Sequence, residues 1–173
     1  GWLYDGSILM PFDDAMAHAA GELLEVCRVQ GVKLATAESC TGGLIAGLLT
    51  AIAGSSDVVE RGFVTYTNEA KHEMLGVPVA LFDTVGAVSE DVARAMAEGA
   101  VLHSRADAAV SATGVAGPGG GTETKPVGLV HIAAARAGRE TLHERHVFEG
   151  DRTAVRRQSV VACVALLRRV VET

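Results

Sequence analysis

Four stretches of the 173-residue chain combine residue types that can do chemistry. The first is Thr36-Ala37-Glu38-Ser39-Cys40-Thr41-Gly42-Gly43, which reads as a strand passing through a polar turn into a helix. Two glycines at a helix start let a ligand approach backbone N–H groups that have no helical partner. A hydroxyl there, Ser39 or Thr41, can be presented to a substrate while nearby amides hold an oxyanion or a phosphate. The same hydroxyls serve equally well as plain helix caps. Cys40 reads as a packed cysteine rather than a nucleophile. The second stretch is Tyr66-Thr67-Asn68-Glu69-Ala70-Lys71. A serine nucleophile needs a base, and lysine serves where its surroundings favour the neutral amine. Lys71 stands one turn into a helix, whose positive end disfavours ammonium. Its alternative is a solvated surface position beside Glu69, and Tyr66 either orients these groups or is merely half-buried.

The third stretch runs from Thr113 through Gly114, Gly117 and Gly120 to Gly128. So much glycine after a strand suits a phosphate or ribose cradle of backbone amides, or else a surface hairpin. It matches neither a P-loop nor a dinucleotide-binding fingerprint. The fourth is Gly150-Asp151-Arg152-Thr153-Ala154-Val155-Arg156-Arg157, where three arginines crowd a helix start that ordinarily prefers acids. An anionic ligand resolves that conflict, and so do surface carboxylates.

The net charge of −6 and an aromatic content of 4% argue against a nucleic-acid surface. Cys27, Cys40 and Cys163 are odd in number and form no CxxC pair, so neither a zinc knuckle nor a disulfide scaffold is expected. A reducing cytoplasm fits them. The histidines lack metal-ligand spacing; His143 and His146, three apart in a strand, face opposite sides. No bound metal is expected. No apolar run approaches the ~20 residues of a membrane span, and the N-terminus lacks the basic region of a secretory signal. Residues 1–12 read as a leader of uncertain structure, with Met10 an alternative start, and 13–173 as one domain.

The elements that must position these stretches alternate. Three- and four-residue apolar spacing predicts a helix from Asp13 to Gln30, stopped by Gly31. A strand over 32–37 follows, then a helix over 44–52, a strand over 63–66 and a helix over 68–75. Ser89 caps a long helix reaching His103, with Glu90 and Asp91 in its first turn. Strands are predicted over 108–112, 127–135 and 141–148, and Asp151 caps a final helix. This order favours one three-layer α/β/α domain with a mixed, mostly parallel sheet.

Taken in order, Ala37 to Gly43, Gly54-Ser55-Ser56, Gly62 to Tyr66 with Asn68 to Lys71, Gly86 to Ser89, Gly114 to Pro118, Lys125 to Gly128 and Gly150-Asp151-Arg152 resemble the CinA C-terminal domain family. The resemblance covers roughly Ala15 to Val170. It implies an α/β/α amidohydrolase that needs neither metal nor cofactor and converts nicotinamide mononucleotide and water to nicotinate mononucleotide and ammonia. By the same resemblance Ser39 is the nucleophile and Lys71 the base, with Tyr66 beside them. The oxyanion is then expected at the amides around Thr41, Gly42 and Gly43. Phosphate and ribose are expected on the Gly114, Gly117 and Gly120 loop with Arg152 or Arg156, and Thr113 against the ring or carboxamide. Glu38 is expected, from charge alone, to help hold a cationic pyridinium. The molybdopterin-binding-like domain carried by many relatives has no counterpart in this chain, so nothing tied to it transfers. Alternative readings are a non-catalytic nucleotide-binding module or a competence- or damage-related interaction module. A cytoplasmic homodimer is the base-rate expectation for a small enzyme of this kind.

Overall fold

The computed structural model describes residues 12–173; the leader expected over residues 1–12 and the alternative start at Met10 lie, Phe12 apart, outside them. Helix α1 (Asp14–Gln30) starts where the Asp13 side chain accepts from Met16 N–H. It ends at Gly31, whose φ of 70° allows the last carbonyls to be capped. Strand β1 (Leu34–Glu38) is buried along its whole length. After α2 (Leu44–Thr50) and a 3₁₀ turn (Ser55–Asp57) comes β2 (Val59–Val64). Thr67 then caps α3 (Asn68–Leu75) by accepting from Ala70 N–H. A short helix α4 (Val79–Thr84) precedes α5 (Glu90–Leu102), which Ser89 caps through Val92 N–H. Strands β3 (Ala108–Gly114), β4 (Leu129–Arg136) and β5 (Leu142–Val147) lead to α6 (Arg152–Glu172), capped by Asp151.

The five strands are ordered β2-β1-β3-β4-β5. β1 pairs in parallel with both β2 and β3, whereas β3–β4 and β4–β5 are antiparallel. The sheet is mixed as expected, and its parallel and antiparallel pairings are equal in number. Period-two alternation sends Leu34, Ala108, Val110, Ala112, Val130 and Ile132 into a core with α1, α2 and α6. Ala35, Ala37 and Ala109 face the other way, against α3 and α5. The result is the three-layer α/β/α domain.

Small residues let these layers approach. A Cβ on Gly99 of α5 would lie 2.0 Å from the Leu75 carbonyl oxygen, so only glycine admits the end of α3 there. Two expectations shift. The strand placed at 63–66 runs from Val59 to Val64, because β1 aligns Gly62 with Thr36 and Phe63 with Ala37; Tyr66 falls beyond its end. Helix α4 was not anticipated, since six residues behind Pro78 are too few to display a helical period. Among the described residues, no helix is long and apolar enough to cross a membrane.

Candidate active site

The parity of β1 decides the geometry. Glu38 and Ser39 are consecutive at the end of an extended strand, so their side chains leave on opposite faces. Ser39 N–H still donates to Ala112 O at 3.0 Å, which extends the β1–β3 ladder by one step and anchors the serine. Its hydroxyl points to the α3 layer. There Lys71 Nζ lies 2.9 Å from Ser39 Oγ, 2.9 Å from Thr65 O and 3.4 Å from Tyr66 O. Lys71 is only 2% exposed and Ser39 9%.

A neutral lysine has two N–H donors and one lone pair. The two carbonyls can only accept, so they take the two N–H groups and leave the lone pair for the Ser39 O–H. Burial pushes the Lys71 pKa down, against a weaker opposing effect of Cys40. No carboxylate among the described residues bonds to the amine. Cys40, next to the serine, is held as a thiol, its pKa pushed up to about 11 by burial. That agrees with its reading as a packed residue.

The pair opens into a cavity of about 330 Å³. One wall is Ser39, Cys40, Tyr66, Asn68 and Lys71; another is the loop from Thr113 through Gly114, Gly117 and Gly120; Arg152 closes the rim. In that loop the N–H groups of Ala116, Gly117, Gly119 and Gly120 have no partner among the described residues. Unpartnered amides beside a guanidinium are the chemistry that can hold an anion. Arg152 donates to Gly117 O at 2.7 Å and to the Tyr66 hydroxyl at 3.1 Å, so it ties the loop to the opposite wall. Tyr66 thus meets Lys71 through its carbonyl and Arg152 through its hydroxyl, and the residue is 61% exposed. Thr113 lines the cavity while its hydroxyl donates to Ala87 O at 2.9 Å.

Ser39, Lys71, Tyr66, Thr113, Gly114, Gly117, Gly120 and Arg152 therefore come together as expected. Thr41, Gly42, Gly43 and Arg156 do not line the cavity. The Thr41 hydroxyl donates to Glu38 Oε1 at 2.6 Å, and Gly42 N–H donates to Ser39 O at 3.0 Å. Arg156 donates to Cys40 O and Thr41 O behind the turn. Glu38 is corrected as well. It is fully buried, and its carboxylate accepts from Thr41 Oγ1, Ile45 N–H and Ala46 N–H, which caps α2 from the strand side and turns it away from any ring in the cavity. Neither account of the α6 arginines holds for all three: Arg157 pairs with Asp13, but Arg152 and Arg156 bind main-chain carbonyls.

The lining residues not singled out as such from the sequence are Cys40, Asn68, Ala87 and Val88, with Val115, Ala116 and Gly119 of the glycine-rich loop. Cys40 N–H, immediately after the serine, takes no acceptor elsewhere in the described chain. Its position directly after the candidate serine is the signal that points to it. His143 and His146 do face opposite sides: His143 Nε2 lies 2.9 Å from His131 Nδ1, while His146 pairs with Glu144 and stacks on Phe148.

A model of the CinA C-terminal domain matches residues 16–171. The nicotinamide-nucleotide amidohydrolase PncC of Escherichia coli (strain K12) is 48% identical over 155 residues, covering 90% of this chain and 94% of that protein. A CinA-like protein from Syntrophobacter fumaroxidans is also 48% identical, over 158 residues, but this chain spans only 36% of its length. A relative from Symbiobacterium thermophilum is spanned to 38%. Among solved structures, the competence/damage inducible protein CihA from Agrobacterium tumefaciens superposes with a TM-score of 0.91 at 47% identity, over 94% of this chain and 98% of that one.

Proposed function

The chain belongs to the CinA C-terminal domain family, and from that premise we propose that it hydrolyses the carboxamide of nicotinamide mononucleotide, giving nicotinate mononucleotide and ammonia. The likeness to PncC along nearly the whole of both chains supports the substrate. One observation carries the mechanism: a buried lysine amine 2.9 Å from a serine hydroxyl, with both of its N–H groups matched to carbonyls.

Neutral Lys71 takes the Ser39 proton as Oγ bonds to the carboxamide carbon. The oxygen of that carbon becomes an oxyanion, for which the Cys40 N–H is the donor nearest in sequence to the serine. The Lys71 ammonium gives its proton to the carboxamide nitrogen as collapse breaks the C–N bond, so that the nitrogen leaves as ammonia. Water then attacks the nicotinoyl ester, gives a proton to Lys71, and Lys71 returns it to Ser39 Oγ as the ester bond breaks. Side chains supply both nucleophile and base, so the reaction runs without a metal. The unpartnered amides around Gly117 and Gly120, with Arg152, hold the phosphate and ribose. The protein works as a cytoplasmic homodimer with no nucleic-acid partner.

Ammonia release from nicotinamide mononucleotide, measured with and without a chelator, tests the reading. Turnover that survives chelation and disappears in Ser39→Ala and Lys71→Ala is expected. Full turnover in Ser39→Ala refutes the nucleophile, and the absence of release by the wild type leaves only a binding module. Light scattering tests the dimer.

A further inference from the structure

Arg156 lies outside the cavity, yet it bonds to the turn that carries the nucleophile. Its Nε donates to Cys40 O at 3.1 Å and its Nη2 to Thr41 O at 3.2 Å. Space is tight there, since a Cβ on Gly42 would come within 3.2 Å of Arg156 Nη2. The turn is thus gripped from two sides, by the Glu38 carboxylate from the strand and by this guanidinium from α6.

The grip has a directional effect. In a trans peptide the C=O and the following N–H point opposite ways. Holding Cys40 C=O toward α6 turns Thr41 N–H away from it, and holding Ser39 C=O against Gly42 N–H turns Cys40 N–H outward. The Cys40 N–H has no acceptor outside its own residue, and the Thr41 N–H has no main-chain acceptor among the described residues. Donation from a cation also polarises the Cys40–Thr41 peptide, which strengthens the donor at its other end. Arg152, four residues earlier on the same helix, instead bridges the cavity's mouth, from Gly117 O to the Tyr66 hydroxyl. The two arginines therefore divide the work: one borders the ligand and the other braces the serine turn.

We infer that Arg156 is a positioning residue, which sets the orientation of the amides beside Ser39 and leaves substrate affinity to Arg152. The inference rests on the reading of Ser39 as the nucleophile. Arg156→Ala is expected to lower kcat by about 100-fold, the scale at which ~1 Å misplacement acts. KM for nicotinamide mononucleotide should stay within about threefold, a split that selects turnover over binding. Guanidinium chloride at tens of millimolar, below unfolding concentrations, should restore part of kcat, and Arg156→Lys should fall between wild type and Arg156→Ala. Arg152→Ala is expected to raise KM instead. Labelling of Ser39 by a fluorophosphonate, which needs no substrate, should slow in Arg156→Ala in step with kcat. Should that variant fail to fold by circular dichroism, Arg156→Lys carries the same comparison.

Labelling and kcat unchanged in Arg156→Ala, or a KM rise specific to the nucleotide over its riboside, overturns the inference while the Ser39 reading stands. A wild type that neither releases ammonia nor labels at Ser39 overturns both.

Discussion

Replacing Glu38 by glutamine tests the support of the serine turn with a change of one atom type. The carboxylate is fully buried and accepts three hydrogen bonds, two on Oε1 from Thr41 Oγ1 and Ile45 N–H and one on Oε2 from Ala46 N–H, at 2.6 to 3.0 Å. A carboxamide has one acceptor oxygen and one donor nitrogen. With the nitrogen at the Oε2 position it confronts Ala46 N–H; turned over, it confronts Ile45 N–H. The Thr41 hydroxyl can reverse its role, but a backbone amide cannot. One N–H is therefore stranded in either orientation, at about 1–3 kcal/mol. Loss of the negative charge at the N-terminus of α2 adds about 0.3–1 kcal/mol. The expected destabilisation is about 1.5–4 kcal/mol, read as a lower urea midpoint at unchanged m-value. Because the serine turn hangs from the same carboxylate, kcat should fall as well. A loss below about 0.5 kcal/mol with unchanged kcat would show that the three-donor cap does not hold the turn, and the account of Glu38 would be wrong.

Three further outcomes are expected. Thr36 Oγ1 is buried without a partner, so Thr36→Val should be neutral or stabilising by up to about 1 kcal/mol in the same urea titration; a clear loss would mean the hydroxyl is bonded. Gly99→Ala should cost more than about 2 kcal/mol, because the added carbon would lie 2.0 Å from Leu75 O. The pKa of Lys71 is lowered by burial, so kcat/KM should rise with pH as the amine loses its proton and level off below the free-lysine range. For stability the sign is the same. Between the lowered folded pKa and the ordinary lysine value of 10.5 the unfolded chain binds the extra proton, so stability relative to Lys71→Met should increase with pH across that window and be flat above it. A difference independent of pH would mean that the lysine is charged in the folded protein.

Much of the fold was legible because its punctuation is local. Ser89 and Asp151 cap the helices they were expected to cap and Gly31 ends α1, while Asp13, read as the first residue of its helix, is the cap before it. Strand β2 was harder to read. Glu60 and Arg61 interrupt its apolar pattern, and an edge strand in which only Phe63 is buried tolerates them. At the site, Ser39 and Lys71 were legible by type, and their meeting depends on β2 carrying α3 back beside β1. The orientation of Glu38 could have been read from period two: Leu34 and Thr36 share its parity and Ala35 and Ala37 that of Ser39. Helical spacing could not rank Arg152 against Arg156. At four residues apart they share a face, and only the seat of the serine turn against α6 separates their targets.

The connection between β3 and β4 is pinned at its base by two main-chain bonds, Val115 N–H to Leu129 O and Gly128 N–H to Val115 O, each under 3.0 Å. Its tip is thereby insulated from the sheet below. Ala116 still packs in the core, Gly117 O accepts from Arg152 and Lys125 Nζ donates to Val85 O, but residues 118–124 hydrogen-bond only within the loop, between Thr122 and Lys125. Exchanging the 118–124 tip between relatives should therefore change KM for nicotinamide mononucleotide while leaving kcat nearly unchanged.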